Sequence, residues 1–452
     1  MRVAIYTLGC KVNQYETQAM ERELQARGHE ITAFDREADA YVVNTCSVTA
    51  VSDQKSRQIV RRIRREHPEA IVAVCGCYTQ THAGEARTLG ADVLGGSGDR
   101  MGFLHLLERA AEARAAANSP RQEAEASGTS PEPGALESFD SPFARRHIEW
   151  LPAGGMEGRT RALLKVEDGC TNFCSYCIIP YARGPVRSLS MEEAAVQAAE
   201  LKNRGYQEIV LTGIEISSWG RDLGPGLTLM DLLETLSAAV PGVRLRLGSL
   251  EPRTVTPAFC RRASVLPDLC HQFHLSLQSG CDATLKRMNR KYDTARYFES
   301  VELLNQTFRR PAVTTDLITG FPGETEEEFE ETLAFLRKCG FARIHVFPYS
   351  VRPGTPAADL EQIPVPVREE RARRAGAVAA ELRRAYLEGC VGEVHSVLFE
   401  QPKAGGFFGH AGNYAGVLVP AEGRDLHNQI KDVRITGVGD SVLLGEIEEE
   451  AT

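Results

Sequence analysis

The sequence predicts an α/β multidomain protein: a doubly wound parallel N-terminal domain, an incomplete (β/α)6 barrel, and a small C-terminal all-β barrel. Three observations carry this. Short apolar runs alternate with amphipathic helical stretches through roughly the first hundred residues. A longer alternation of the same kind follows, with six strand candidates. The final stretch consists of short β-like runs joined by glycine-rich turns. At 452 residues the chain exceeds one ordinary domain, and about three are expected.

Taken in order, residues 3–8 read as a strand and 14–27 as a helix ending at Gly28. Residues 40–45 are a second strand, and 51–66 a helix stopped by Pro68. Residues 71–74 and 91–94 complete the first alternation, which implies a parallel sheet with helices on both faces. After a helix reaching 117 the composition shifts. Residues 118–141 are Ser, Pro, Gly, Ala and Glu with hardly a large apolar side chain, too little to offset the entropy of ordering. The expected domains are therefore 1–117, a flexible linker over 118–146, a central domain over 147–386 and a last domain over 387–452.

In the central domain the strand candidates end near Asp168, Ile214, Ser249, Ser276, Ile318 and Tyr349. Two of the intervening helices open on capping boxes, Ser190 with Glu193 and Thr325 with Glu328. A barrel of this kind does its chemistry at the carboxyl ends of its strands. Pro364 and Pro366 punctuate its end, and a helix follows to about Tyr386. The runs 393–400, 414–419, 433–437 and 441–447 then make up the small barrel.

Composition narrows the function classes. No apolar run approaches the ~20 residues that span a bilayer, and the opening residues carry no signal-peptide pattern. A cytoplasmic protein without a membrane partner is expected. Its twelve cysteines then fit metal or cluster ligation better than a disulfide framework. The net charge of −9 excludes a surface that is positive throughout, so any nucleic acid must be met by local basic stretches.

The first cysteine constellation is Cys170-x3-Cys174-x2-Cys177, directly after the first barrel strand. A four-iron cluster ordinarily takes four thiolates. Three in one tight loop leave an iron open, as in catalytic rather than structural centres. The competing reading, a zinc knuckle, needs a fourth Cys or His close by. His147 and His271 are both distant in sequence. The spacing, with Tyr176 before the last cysteine, resembles the radical S-adenosylmethionine (SAM) superfamily. That resemblance implies a [4Fe-4S] cluster whose open iron binds SAM and whose reduction yields a 5′-deoxyadenosyl radical.

A second constellation is dispersed. Cys10, Cys46 and Cys77 each follow a predicted parallel strand, and the carboxyl ends of such strands share one sheet edge. They are candidate ligands of a second cluster; unrelated core cysteines are the plainer alternative. Cys75 continues an apolar run and reads as a buried thiol. Gly9-Cys10-Lys11-Val12-Asn13-Gln14-Tyr15-Glu16-Thr17, Asn44-Thr45-Cys46 and Gly76-Cys77 resemble the N-terminal domain of the radical SAM methylthiotransferases. The three-part order, closing on a TRAM-like β domain, is similar too. The resemblance implies two [4Fe-4S] clusters, SAM as cofactor, and Cys10, Cys46, Cys77, Cys170, Cys174 and Cys177 as metal ligands and catalytic residues. The opening Cys-Lys-Val-Asn is most similar to the branch acting on N6-threonylcarbamoyladenosine at tRNA position 37. Branches acting on isopentenyladenosine or on a ribosomal-protein aspartate stay open as alternatives, as does a non-catalytic iron–sulfur RNA-binding protein.

Gly213 and Glu215 end the second barrel strand, where related enzymes hold the SAM amino group; a carboxylate suits an ammonium. Ser249, Glu251 and Gln278, at the ends of the next two strands, are candidate ribose or adenine contacts. Arg352 and Thr355 are candidates for the substrate side. Two basic stretches could meet RNA phosphates: Lys55 to Arg65, and Arg368 to Arg384. The implied partners are the tRNA anticodon stem-loop and a reductant protein such as flavodoxin or ferredoxin.

Overall fold

Six strands, Arg2–Thr7, Glu30–Thr32, Ala40–Thr45, Ile71–Gly76, Val93–Gly95 and Leu136–Ser138, form one parallel sheet in the spatial order 2-1-3-4-5-6. The computed structural model describes residues 1–118, 135–155, 158–403, 405–420 and 423–448. They divide into two units. One is Met1–Gly154 with Asp168–Thr171 and Cys177–Arg187; the other is Gly155–Glu167, Asn172–Tyr176 and the chain from Ser188.

In the first unit the sheet is buried on both faces. Ala40–Thr45 and Ile71–Gly76 are buried at every position, which explains their continuous apolar runs. Successive side chains alternate between two cores. Val42, Ala73 and Cys75 pack with Phe103 and Leu107 on one face, and Tyr41, Val43, Val72 and Val74 with Val60 and Ile63 on the other. The strand order reverses between the first and third strands. Doubly wound sheets of this order bind ligands at that reversal, outside the carboxyl ends.

The linker expectation changes here. Leu136–Ser138, read as flexible linker, is the sixth strand: it pairs with Val93–Gly95, and Leu136 packs against the core. A single large apolar residue in a short run left it invisible to composition. The rest of the expected linker from 119 to 134 lies outside the described residues. Residues 147–154 belong to the first unit, where the Tyr15 hydroxyl donates to the Leu151 carbonyl and Arg22 to that of Ala153.

The second unit holds the six barrel strands. Arg161–Lys165, Glu208–Thr212 and Arg244–Leu247 form one parallel sheet; Ser249–Leu250, Gln272–Leu275, Ala312–Thr319 and Arg343–Pro348 form another. The third predicted strand breaks at Gly248, whose N–H donates to the Leu211 carbonyl; a Cβ there would lie 2.9 Å from that oxygen. Both predicted capping boxes are present, and Thr228 with Asp231 adds a third.

Residues 394–447 close into a barrel of five strands, ordered Val394–Lys403, Gly406–Ala411, Gly416–Val419, Leu443–Ile447, Ile430–Val438. Phe399, Phe407, Val417, Val433 and Leu443 fill it. Gly406–Ala411 lies outside the runs expected as strands. Gly409 is there for a close approach: a Cβ would lie 2.3 Å from the Leu398 carbonyl oxygen. Tyr414 stacks on His410, and Arg246 lies over its ring at 4.7 Å, so it is a packing residue.

Candidate metal centres

Each of the dispersed cysteines lies just past the carboxyl end of a strand of the first unit's sheet. Cys10 caps the helix Lys11–Ala26, Cys46 follows Ala40–Thr45, and Cys77 opens the short helix Cys77–Thr81. Two left-handed glycines let these ends approach. A Cβ on Gly9 (φ +114°) would lie 2.7 Å from Cys46 Cβ and 2.9 Å from its Sγ. One on Gly76 (φ +113°) would lie 2.4 Å from the Thr45 carbonyl oxygen. The thiols feel one another. Burial first, then Cys77 and Cys10, push the Cys46 thiol up to about 12. Desolvation by the protein packed around its sulfur also raises the Cys10 thiol, and nearby Arg183 opposes that rise, although the residue as a whole keeps an exposed face. Cys75 packs into the apolar core with Phe103 and Leu107, where desolvation above all pushes its thiol up to about 11, and Cys77 adds to the rise.

A buried polar network, absent from the sequence reading, ties this edge together. The Asn13 amide donates to the carbonyls of Leu8 (2.9 Å) and Thr45 (2.8 Å), joining two of the strand ends. Its oxygen faces Cys10 Sγ at 3.6 Å and accepts from Arg183 Nη2 at 3.0 Å. Arg183, fully buried, also donates to Glu16 and to Asp168, and its Nε lies 3.4 Å from Cys77 Sγ. Arg100 pairs with Glu16 from another direction at 2.8 Å. Desolvation acts to lower the Arg183 pKa, but Cys77, Glu16 and Asp168 outweigh it and raise it. Asn13 and Glu16 are one helical turn apart, the one local signal the sequence offered.

Of the clustered cysteines, Cys170 and Cys177 are half-buried and Cys174 is buried. Cys170 belongs to the first unit, where its N–H donates to the Gly184 carbonyl. Cys174 belongs to the second, on a segment held by the turn at 287–290. Ser175 donates to the carbonyls of Met288 and Arg287, and Asn289 to that of Phe173. Arg290 Nη1 lies 3.1 Å from Cys174 Sγ, and its Nη2 is 3.2 Å from Glu251 Oε2.

At the carboxyl ends of the second unit's strands, the Glu215 N–H donates to Glu167 Oε2 at 2.7 Å. A Cβ on Gly213 would collide with that same oxygen at 2.6 Å. Glu215 accepts from the Ser218 hydroxyl, and its Oε1 is buried without a hydrogen-bond partner among the described residues. Burial raises its pKa, Ser218 opposes the rise and Glu251 adds to it. The Glu251 N–H donates to Ser217, and Gln278 has a left-handed backbone (φ +70°) with its N–H on the Asp316 carbonyl. Ser249 is exposed at its strand end. Arg352 and Thr355 are both buried.

The basic stretches are partly spent on structure. Arg64 pairs with Asp92 and Arg57 with Glu85, while Lys55 and Arg61 make no ion pair among the described residues. Arg371, Arg373, Arg374 and Arg384 all pair with glutamates. Cys390, Glu393 and His395 bring ligand atoms within 4.8 Å of one another, but Arg309 and Arg310 already occupy Glu393, a poor setting for a further cation. Among the described residues no helix is long and apolar enough to cross a membrane.

Two family profiles match the chain: the radical SAM superfamily over residues 164–336, and the uncharacterized protein family UPF0004 over residues 2–94. The threonylcarbamoyladenosine tRNA methylthiotransferase MtaB of Bacillus subtilis (strain 168) is 37% identical over 445 residues, 97% of this chain and 94% of that protein. The chain belongs to the radical SAM methylthiotransferase family. Another family member, the MtaB of Thermotoga maritima, is 34% identical over 88% of this chain and 86% of its own. The tRNA-2-methylthio-N(6)-dimethylallyladenosine synthase of Symbiobacterium thermophilum is 32% identical over 99% of this chain and 94% of its own. Among solved structures, the radical SAM methyltransferase TsrM from Kitasatospora setae, with tryptophan and a SAM analog bound, aligns with a TM-score of 0.57 at 15% identity. It covers 79% of this chain and 75% of that one, a likeness of fold. Membership in the family fits an enzyme with two separate three-cysteine sets.

Proposed function

We propose that this protein is a tRNA methylthiotransferase that adds a methylthio group to C2 of N6-threonylcarbamoyladenosine at position 37, in the anticodon stem-loop. The observation that carries the reading is the set Cys10, Cys46 and Cys77 at one sheet edge, in a chain that also carries the loop Cys170-x3-Cys174-x2-Cys177 and is related over 97% of its length to an enzyme of that name. The dimethylallyladenosine enzymes are related at lower identity.

The donor sets fit two [4Fe-4S] clusters. Three thiols each leave one iron free of protein, and the glycines at 9 and 76 clear the space between the strand ends. Clusters and SAM, when bound, supply the electron, the radical, the methyl group and the route for sulfur. Cys170, Cys174 and Cys177 would hold one cluster; Cys10, Cys46 and Cys77 the other. Glu215, with an unpartnered buried carboxylate oxygen, is suited to an ammonium. Gly213 keeps space beside Glu167, and Ser249 and Gln278 offer polar groups to a nucleoside. Glu251 acts by fixing Arg290 against Cys174. On this reading the N-terminal part handles sulfur, the central barrel forms the radical and the terminal barrel meets RNA, with a small reductant protein as electron source.

The test is mass spectrometry of tRNA nucleosides from a strain lacking the gene, and of purified enzyme acting on tRNAs that carry one or the other modified adenine. The 2-methylthio derivative of threonylcarbamoyladenosine should disappear from the strain and form in vitro. Methylthiolation of the isopentenyl nucleoside instead would overturn the substrate assignment.

A further inference from the structure

Arg183 lies six residues beyond Cys177, yet its side chain serves the other cysteine set. Every atom of its fork is engaged at the first unit's sheet edge: Nε toward Cys77 Sγ at 3.4 Å, Nη1 on Glu16 and Asp168, Nη2 on Asn13 and Glu16. We infer that Arg183 is a positioning residue that raises the reduction potential of the cluster held by Cys10, Cys46 and Cys77. The inference rests on the reading of those cysteines as ligands.

The physics is that of a fixed charge against a ligand sulfur. A guanidinium keeps its proton, so the same positive charge faces Cys77 whichever way the cluster is charged. One added electron makes the cluster more negative. In a water-poor site a nearby cation therefore favours the reduced form more than the oxidised one. Arg183 is fully buried, so screening is weak. Its other partners make the placement firm. Glu16 is held from behind by Arg100, and Asn13 is anchored on Leu8 and Thr45, so the fork cannot swing away from the sulfur. Arg187 is the natural comparison. It is buried, cationic and near Asp168 at 3.4 Å, but its hydrogen bonds go to the backbone carbonyls of Arg183 and Pro185 and not to a cysteine.

The experiment uses the full chain with Cys170, Cys174 and Cys177 all replaced by Ala, so that the cluster in question is measured by itself. After anaerobic reconstitution, iron and sulfide are counted, and the midpoint potential is read by dithionite titration with mediators and electron paramagnetic resonance. Arg183→Gln, which removes the charge, should lower the reduced-to-oxidised ratio at a fixed potential at least tenfold, or 59 mV for a one-electron couple. Arg183→Lys, which keeps the charge but loses the fork, should shift it less. Arg187→Gln should leave it unchanged. A full cluster with unchanged potential in Arg183→Gln would overturn the inference, as would an equal shift in Arg187→Gln. Loss of iron from both Arg183 variants would overturn it too, making the residue a scaffold. If the three-Ala background itself carries no iron, the ligand reading fails, and that result is distinct from the others.

Discussion

Glu215 shows how a single side chain is prepared for a ligand. It is half-buried, receives one hydroxyl from Ser218 and keeps its other oxygen, which is buried, without a hydrogen-bond partner among the described residues. A buried acceptor left so costs about 1–3 kcal/mol, which a bound ammonium would recover. Glu215→Gln should fold normally and weaken SAM binding by about ten- to a hundredfold, in line with ~1.5–3 kcal/mol for a hydrogen bond to a charged group. Equilibrium dialysis checks it; unaltered affinity would move the ammonium site elsewhere. Cys174→Ala should abolish 5′-deoxyadenosine formation while iron remains at Cys10, Cys46 and Cys77, and persistent SAM cleavage would defeat the assignment. The sequence proposes both sets of cysteines, one from spacing and one from strand order. Arg183 was not, because its partners Glu16 and Cys77 lie 167 and 106 residues away. Buried ion pairs between distant elements leave no periodic trace. Glu167 was missed for a related reason: it is a strand-end acid whose use appears only beside Gly213 and Glu215.

At the scale of elements, alternation and caps foretold most of the structure. Thr49, Ser190, Thr228 and Thr325 cap four helices, and each costs about 1 kcal/mol when replaced by Ala. Strands with one or two apolar side chains escaped, as Leu136–Ser138 and Gly406–Ala411 did. There the decisive contribution is backbone pairing with a neighbour remote in sequence. Gly76 is where an element end and the site depend on the same residue. Gly76→Ala should destabilise the first unit by about 1–3 kcal/mol, because φ of +113° and the Thr45 carbonyl both exclude a Cβ. Iron bound at Cys10, Cys46 and Cys77 should fall with it. Thermal melts and iron counts on the same sample test this, and a variant with wild-type values of both would remove Gly76 from the account.

For the whole molecule, the buried thiols outside the site set an upper limit in pH. Desolvation holds Cys270 and Cys390 at about 11 and Cys339 at about 12, against an ordinary value of 9.0. Folded values above the unfolded one favour the fold fully below about pH 9, and that contribution is lost as pH rises through 11 to 12. Melting temperature in reducing buffer should therefore fall between about pH 9 and 12, and Cys339→Ala should flatten the fall. The central claim is a division of labour between two clusters, and one measurement tests it most directly. Protein with Cys10, Cys46 and Cys77 replaced by Ala is reconstituted anaerobically and supplied with SAM, reductant and tRNA carrying threonylcarbamoyladenosine. It should contain about four fewer irons per chain, as loss of one four-iron cluster requires. It should still form 5′-deoxyadenosine and transfer no methylthio group to the nucleoside. Methylthiolated tRNA from that protein would contradict the account.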